Sequence, residues 1–183
     1  HGAKTAIQLA HCGNSSKWSG WIGRRARGPS NGFNALGTFV GTPFARALKK
    51  PELAELTRQY RSAAERAVMA GFDAVELHMG HGYLLSQFLS PAVNKRKDEY
   101  GGCAENRARF PVEALQAVRQ GVGDAVPIIV KMNLRDGFRG GVEIKDSIVT
   151  ARLLEANDAD ALVLSGGFSS KNAMYLFRGP TFV

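Results

Sequence analysis

The residues best placed to do chemistry are Glu76-Leu-His78-Met-Gly-His81-Gly-Tyr83. Two imidazoles and a phenol leave the end of one short apolar run, between His78 and Tyr83. Gly80 and Gly82 remove side-chain bulk where the backbone must turn sharply. Such groups can donate hydrogen bonds to a single oxygen and pass a proton to a neighbouring atom. Two bland alternatives stand beside this. A strand-end histidine is often a satisfied structural group. Paired histidines can also ligate zinc, although no third ligand with suitable spacing accompanies these.

Gln8 lies in the run Thr5–Leu9 and is followed by His11 and Gly13. A glutamine in a buried strand must find hydrogen-bond partners. A bound heterocycle with donor and acceptor edges would supply them, and so would a network of side chains. Lys131 interrupts the apolar run Ile128–Met132. An ammonium there needs a negative partner, either a nearby carboxylate or an anionic cofactor. The pairs Gly140–Gly141 and Gly166–Gly167 lack the spacing of a phosphate-binding loop and read as turns.

Four apolar runs must position these groups: Thr5–Leu9, Ala74–Leu77, Ile128–Met132 and Ala161–Leu164. Each is short and nearly continuous, the pattern of strands buried on both faces of a parallel sheet. Helical periodicity fills the intervals. The first helix starts at Pro51, places Leu53, Leu56, Tyr60, Ala63, Ala64 and Ala67 on one face, and stops at Gly71. The second runs from about Glu105 to Val122, with Phe110, Ala114, Leu115 and Val118 inward and Gly121 and Gly123 at its end. The third runs from about Ile144 to Ala156, with Ile148, Ala151 and Leu154 inward. Repeated strand–helix units imply right-handed crossovers and a parallel sheet. The long segments 12–50, 79–104 and 133–143 all follow strands, whereas the returns from helices are short. In such folds the loops after the strands build the site.

The chain has 183 residues, is 44% hydrophobic and carries a formal net charge of +8. That composition suits one globular domain rather than disorder. No apolar run approaches the ~18 residues of a membrane span. The excess charge favours anionic ligands, but the basic residues are dispersed, apart from a cluster at Lys17, Arg24, Arg25 and Arg27, which argues against nucleic acid. That cluster would meet an anionic substrate or the phosphate of NADPH. Cys12 and Cys103 cannot build a disulfide framework and read as small, at least half-buried residues of a reducing, cytoplasmic protein.

The segment from Asp73 through His78, His81 and Tyr83 to Pro91, continued by Asn94-Lys-Arg96-Lys-Asp98-Glu-Tyr100-Gly-Gly102 and Glu105-Asn-Arg107, resembles the Old Yellow Enzyme family. The opening His1-Gly2-Ala3, the stretch Gln8-Leu-Ala-His11-Cys-Gly13, Lys131 and Ser165-Gly-Gly167 extend the resemblance over nearly the whole chain. The resemblance implies an FMN-dependent NAD(P)H:flavin oxidoreductase or ene-reductase on a (β/α)8 TIM barrel. Strands three to six would be present here, in one partial barrel domain over residues 1–183 with no second domain. It further implies that Gln8 and Lys131 contact the flavin's pyrimidine edge. His78 and His81 would hold the carbonyl oxygen of an α,β-unsaturated substrate, and Tyr83 would protonate its α-carbon. The Asn94–Tyr100 segment would brace the site by ion pairing and capping. No metal, nucleic acid or membrane partner is implied.

This sequence departs from the family's common His-x-Gly-Arg at His11-Cys-Gly-Asn14. Strands one, two, seven and eight would lie outside it, and with them the usual phosphate loops. The segment alone is therefore expected neither to hold FMN tightly nor to turn over. A partial barrel also leaves strand edges open to association with a second copy, as a homo-oligomer. Two other readings remain at this stage. One is part of a multidomain 2-enoate or dienoyl-CoA reductase-like flavoprotein with an iron–sulfur cluster. The other is a non-catalytic truncated barrel.

Overall fold

The computed structural model describes residues 2–16, 26–33, 38 and 43–171. Lys17, Arg24 and Arg25 of the basic cluster lie outside the described residues. Arg27 lies within them and pairs with Glu52 at 3.2 Å.

The main sheet contains β1 (Ala6–Leu9), β5 (Ala74–Met79), β6 (Ile128–Arg135) and β7 (Ala161–Gly166), all parallel and hydrogen-bonded in that order. Three long helices return the chain: α1 (Lys50–Met69), α3 (Ala104–Val122) and α4 (Ile144–Glu155). A short helix, α2 (Leu84–Leu89), follows β5. Within the segment 12–50, β2 (Ala26–Gly28), β3 (Gly32–Phe33) and β4 (Phe44–Ala47) form a small separate sheet.

Local chemistry explains the helix limits. Pro51 occupies the first turn of α1, and the Glu52 side chain accepts the Lys49 amide at 2.9 Å. Gly71, at φ 84°, takes the left-handed conformation that ends this helical segment. Gly121 and Gly123 bracket the last residue of α3, Val122, and α1 crosses close to Gly121. A β-carbon at Gly121 would lie 2.6 Å from the Arg61 carbonyl oxygen. Leu53, Leu56, Tyr60, Ala64 and Ala67 face inward as their spacing predicts.

Strand alternation divides the sheet into two unlike faces. Val75, Leu77, Met79, Ile128, Val130 and Met132 are buried beneath the helices with Leu115, Val118 and Leu154. The other face carries the cross-strand rows Gln8–Glu76–Ile129–Ala161 and His78–Lys131–Val163. Burial on both faces therefore does not hold for β1 or β7. Gln8 is exposed, and β7 is exposed from Ala161 to Leu164 as the last strand of its sheet. The helices pack on the opposite face, so the face bearing Gln8 is open in this segment.

Two smaller expectations also fail. Ile148 is 47% exposed, because α4 turns Ser147, Thr150 and Leu154 inward instead. Cys12 and Cys103 are both free and exposed, one in the loop after β1 and the other capping α3. The Asn94–Tyr100 segment is held by the expected ion pairing, and among the described residues it bonds to the loop after β1 and to Phe88 rather than to the ring cluster. Arg96 pairs with Asp98 at 2.6 Å and donates to the carbonyls of Leu48 and Pro29 at 2.6 and 3.0 Å, tying this segment to the loop after β1. Among the described residues, no helix is long and apolar enough to cross a membrane.

Candidate active site

The site starts from the backbone at the carboxyl end of β5. His81 has φ 60° and Gly82 has φ 78°, so two successive residues are left-handed. Such a conformation costs a non-glycine residue roughly 1–2 kcal/mol, and hydrogen bonds on both sides hold it. The His81 amide donates to Asn133 Oδ1 at 3.0 Å, and its carbonyl accepts from Ser169 at 2.9 Å. At Gly82 any β-carbon would run into the Phe168 ring. The turn then delivers Tyr83 to the N-cap of α2.

This turn brings the three predicted rings together. The ring centroids of His78 and His81 lie 5.0 Å apart, and those of His78 and Tyr83 5.2 Å apart. His78 is buried, and its Nδ1 has no hydrogen-bond partner. Burial, reinforced by the neighbouring His81 and Lys131 and opposed by Glu76, lowers its pKa to about 4. Burial and Lys131 lower that of His81 as well. Both rings are therefore neutral donors at neutral pH rather than cations.

A direct consequence concerns pH. The folded His78 value lies below the ordinary 6.5, so its neutral ring contributes stability in full above that pH. That contribution is lost as pH falls from 6.5 towards about 4. An NMR titration is expected to give His78 a midpoint of about 4; a midpoint near 6.5 would mean that the ring is solvated.

The predicted cofactor contacts share the sheet face of these rings. Lys131 is the register neighbour of His78, and Gln8 that of Glu76. The Gln8 amide donates to Glu76 Oε1, so the network reading of Gln8 holds as far as its nitrogen goes. No ion pair satisfies Lys131 among the described residues, so a carboxylate partner for it within them is not found. Fixing the amide nitrogen on Glu76 leaves Gln8 Oε1 as an acceptor beside a cation. That set suits the pyrimidine edge of a flavin, where an imide N–H adjoins carbonyl oxygens that become negative on reduction. His11 stands apart in a local role: its Nδ1 accepts the Gly13 amide at 2.9 Å.

Several residues that support the turn were given no role by the motif reading. Asn133 Nδ2 donates to Asp136 Oδ1 at 2.9 Å and to the Gly167 carbonyl at 2.8 Å. Asp136 is fully buried and also accepts from Ser90 Oγ at 2.7 Å and the Val142 amide at 2.9 Å. Burial pushes its carboxyl above the ordinary range, while these donors pull it down. Ser165 Oγ lies 2.6 Å from His81 Nε2. Gln87 joins the Gly82 carbonyl, at 2.6 Å, to the Asn14 amide, at 2.9 Å. Period-two spacing could have flagged Asn133, which shares a strand face with Lys131. Nothing local marks Asp136 or Ser90.

Two neutral imidazoles and a phenol can thus polarise one oxygen and supply one proton beside an amide and a cation. The model of the NADH:flavin oxidoreductase / NADH oxidase family matches residues 1–167. The 4,4'-dithiodibutanoate disulfide reductase of Rhodococcus erythropolis is 43% identical over 149 residues, covering 79% of this chain and 37% of that protein. The NADPH dehydrogenase of Geobacillus sp. (strain WCH70) is 38% identical over 167 residues, 91% of this chain and 46% of that protein. The structure of the old yellow enzyme homologue from Zymomonas mobilis aligns with a TM-score of 0.76 at 30% identity, covering 92% of this chain and 49% of that one. The chain spans half or less of the length of these relatives. Its parallel strands and outer helices form part of a TIM barrel. With the family model matching from the first residue to Gly167, the chain belongs to the NADH:flavin oxidoreductase / NADH oxidase family.

Proposed function

We propose that this chain is the substrate-activating part of an FMN-dependent ene-reductase. The whole protein would reduce the C=C bond of an α,β-unsaturated carbonyl compound at the expense of NADPH or NADH. The observation that carries the reading is the packing of His78, His81 and Tyr83 over the sheet face that bears Gln8 and Lys131. Bound FMN would supply the hydride, taken from the nicotinamide, and Gln8 Oε1 and the Lys131 ammonium would hold the polar edge of its ring. His78 and His81 each donate to the substrate's carbonyl oxygen. They draw electron density from the double bond and stabilise the enolate that develops as hydride reaches the β-carbon. Tyr83 delivers its phenolic proton to the α-carbon, and solvent restores it. Residues 1–183 act as one domain of this catalyst. The protein works in the cytoplasm, where a reducing environment keeps exposed Cys12 and Cys103 as thiols. A second copy covering the open strand edges would make it a homo-oligomer.

Anaerobic mixing of the full-length protein with FMN, then NADPH, then a simple cyclic enone tests this. The yellow absorbance is expected to bleach with NADPH and to return with the enone, but not with the matching saturated ketone. A folded full-length protein that stays colourless in excess FMN would overturn the proposal.

A further inference from the structure

Ser165 has no part in the reaction just described, yet its hydroxyl lies 2.6 Å from His81 Nε2. The contact joins separate strand ends, since Ser165 is on β7 and His81 follows β5. A β-bulge between Asn133 and Arg135 offsets the β6–β7 register where Ser165 stands opposite Asn133. Bulges near functional sites re-aim side chains in this way.

The direction of the Ser165 bond follows from its partners. A serine hydroxyl has one proton and two lone pairs. Among the described residues, no acceptor other than His81 Nε2 is within reach of the Ser165 proton. If Nε2 carried a hydrogen, that hydroxyl proton would have no protein acceptor among the described residues. Donation from Ser165 to Nε2 satisfies both groups and leaves the ring hydrogen on Nδ1. His81 Nδ1 makes no hydrogen bond and is not sealed, unlike His78 Nδ1, which is buried without a partner. The backbone carrying the ring is held independently. The His81 amide can only donate and the Gly167 carbonyl can only accept, so the Asn133 amide has one workable orientation, which Asp136 reinforces.

We propose that Ser165 is a positioning residue that fixes His81 as its Nδ1–H tautomer and so aims a permanent N–H donor at the substrate's carbonyl oxygen, with Asn133 and Asp136 holding the backbone from which the ring projects. The inference deepens the ene-reductase reading and rests on it for the identity of the oxygen. Its energetic sense is preorganisation: a ring already in the donating tautomer needs no proton rearrangement when the enolate forms. The neutral state of His81, favoured by burial and Lys131, is what makes the tautomer matter.

The test uses ¹⁵N-histidine-labelled full-length protein, wild type, Ser165→Ala and Ser165→Thr, with ring nitrogen shifts read by NMR at neutral pH. Expected is a protonated-type Nδ1 and a pyridine-type Nε2 for His81 in the wild type. The distribution should shift towards Nε2–H in Ser165→Ala and return in Ser165→Thr, which keeps the hydroxyl. With FMN bound, Ser165→Ala should slow the enone half-reaction roughly tenfold, the size of one neutral hydrogen bond, and leave flavin reduction unchanged. A wild-type His81 already in the Nε2–H form, or an unchanged tautomer in Ser165→Ala, would overturn the proposal. If the tautomer responds as expected while no enone is reduced, Ser165 keeps its hold on the ring and the ene-reductase reading fails instead.

Discussion

Replacing Tyr83 by phenylalanine is expected to slow enone reduction by the FMN-loaded full-length protein on the order of 10²–10⁴-fold, the contribution of one well-placed general acid. Flavin reduction by NAD(P)H should stay near its original rate. Phenylalanine keeps the ring that packs 5.2 Å from His78 and leaves the N-cap position of α2 to the backbone, so only the hydroxyl is removed. That hydroxyl has no hydrogen-bond partner among the described residues, so no structural bond is lost with it. Stopped-flow spectroscopy of the two half-reactions separates the effects. Equal slowing of both would remove Tyr83 from the role of proton donor and make it a packing residue of the pocket.

Removing the Asp136 carboxylate is expected to have the largest effect on stability. Asp136→Ala would leave the Ser90 hydroxyl, the Val142 amide and one Asn133 N–H without their acceptor in a fully buried place. Each orphaned donor costs about 1–3 kcal/mol unless water reaches it. A total of about 3–5 kcal/mol is expected, as when a buried charged network loses one partner. Asp136→Asn tests the same network more gently. Its amide nitrogen must face either Asn133 Nδ2 or the donors Ser90 and Val142, so one donor–donor conflict is unavoidable. Urea unfolding of the full-length protein measures both. A loss within about 0.5 kcal/mol for Asp136→Ala, the scale of a neutral surface change, would show that the network does not hold the turn.

What could be read from the chain beforehand divides along physical lines. The His78–Tyr83 cluster was legible because its members fall within six residues, and a glycine-bearing turn at a strand end leaves few places to put them. Helix limits were legible where one residue type has one conformational use, as with Pro51 and Gly71. Faces were read less well. Gln8 looked buried because its neighbours are apolar, whereas alternation puts Gln8 on the uncovered side and Ile7 and Leu9 towards the helices. Ile148 looked inward because its side chain is apolar, yet Ser147 and Thr150 face the sheet; Ser147 Oγ bonds the Leu134 carbonyl at 2.7 Å. The roles of Ser90, Asn133, Asp136 and Ser165 were beyond reach for another reason. Their partners stand up to 84 residues away along the chain, so only the folded sheet brings them to His81. The small sheet of β2, β3 and β4 was hidden by strands of two to four residues, too short to show a period.

The central claim is spatial: two imidazoles and a phenol stand above a flat ring whose polar rim is held by Gln8 and Lys131. A crystal structure of the full-length protein with FMN and a non-reacting enone analogue tests it most directly. The flavin's pyrimidine edge should lie within hydrogen-bonding distance of Gln8 Oε1 and Lys131 Nζ. The ligand oxygen should bridge His78 and His81, with the Tyr83 hydroxyl over its α-carbon. A flavin bound elsewhere, or an analogue oxygen that touches neither imidazole, would contradict the account.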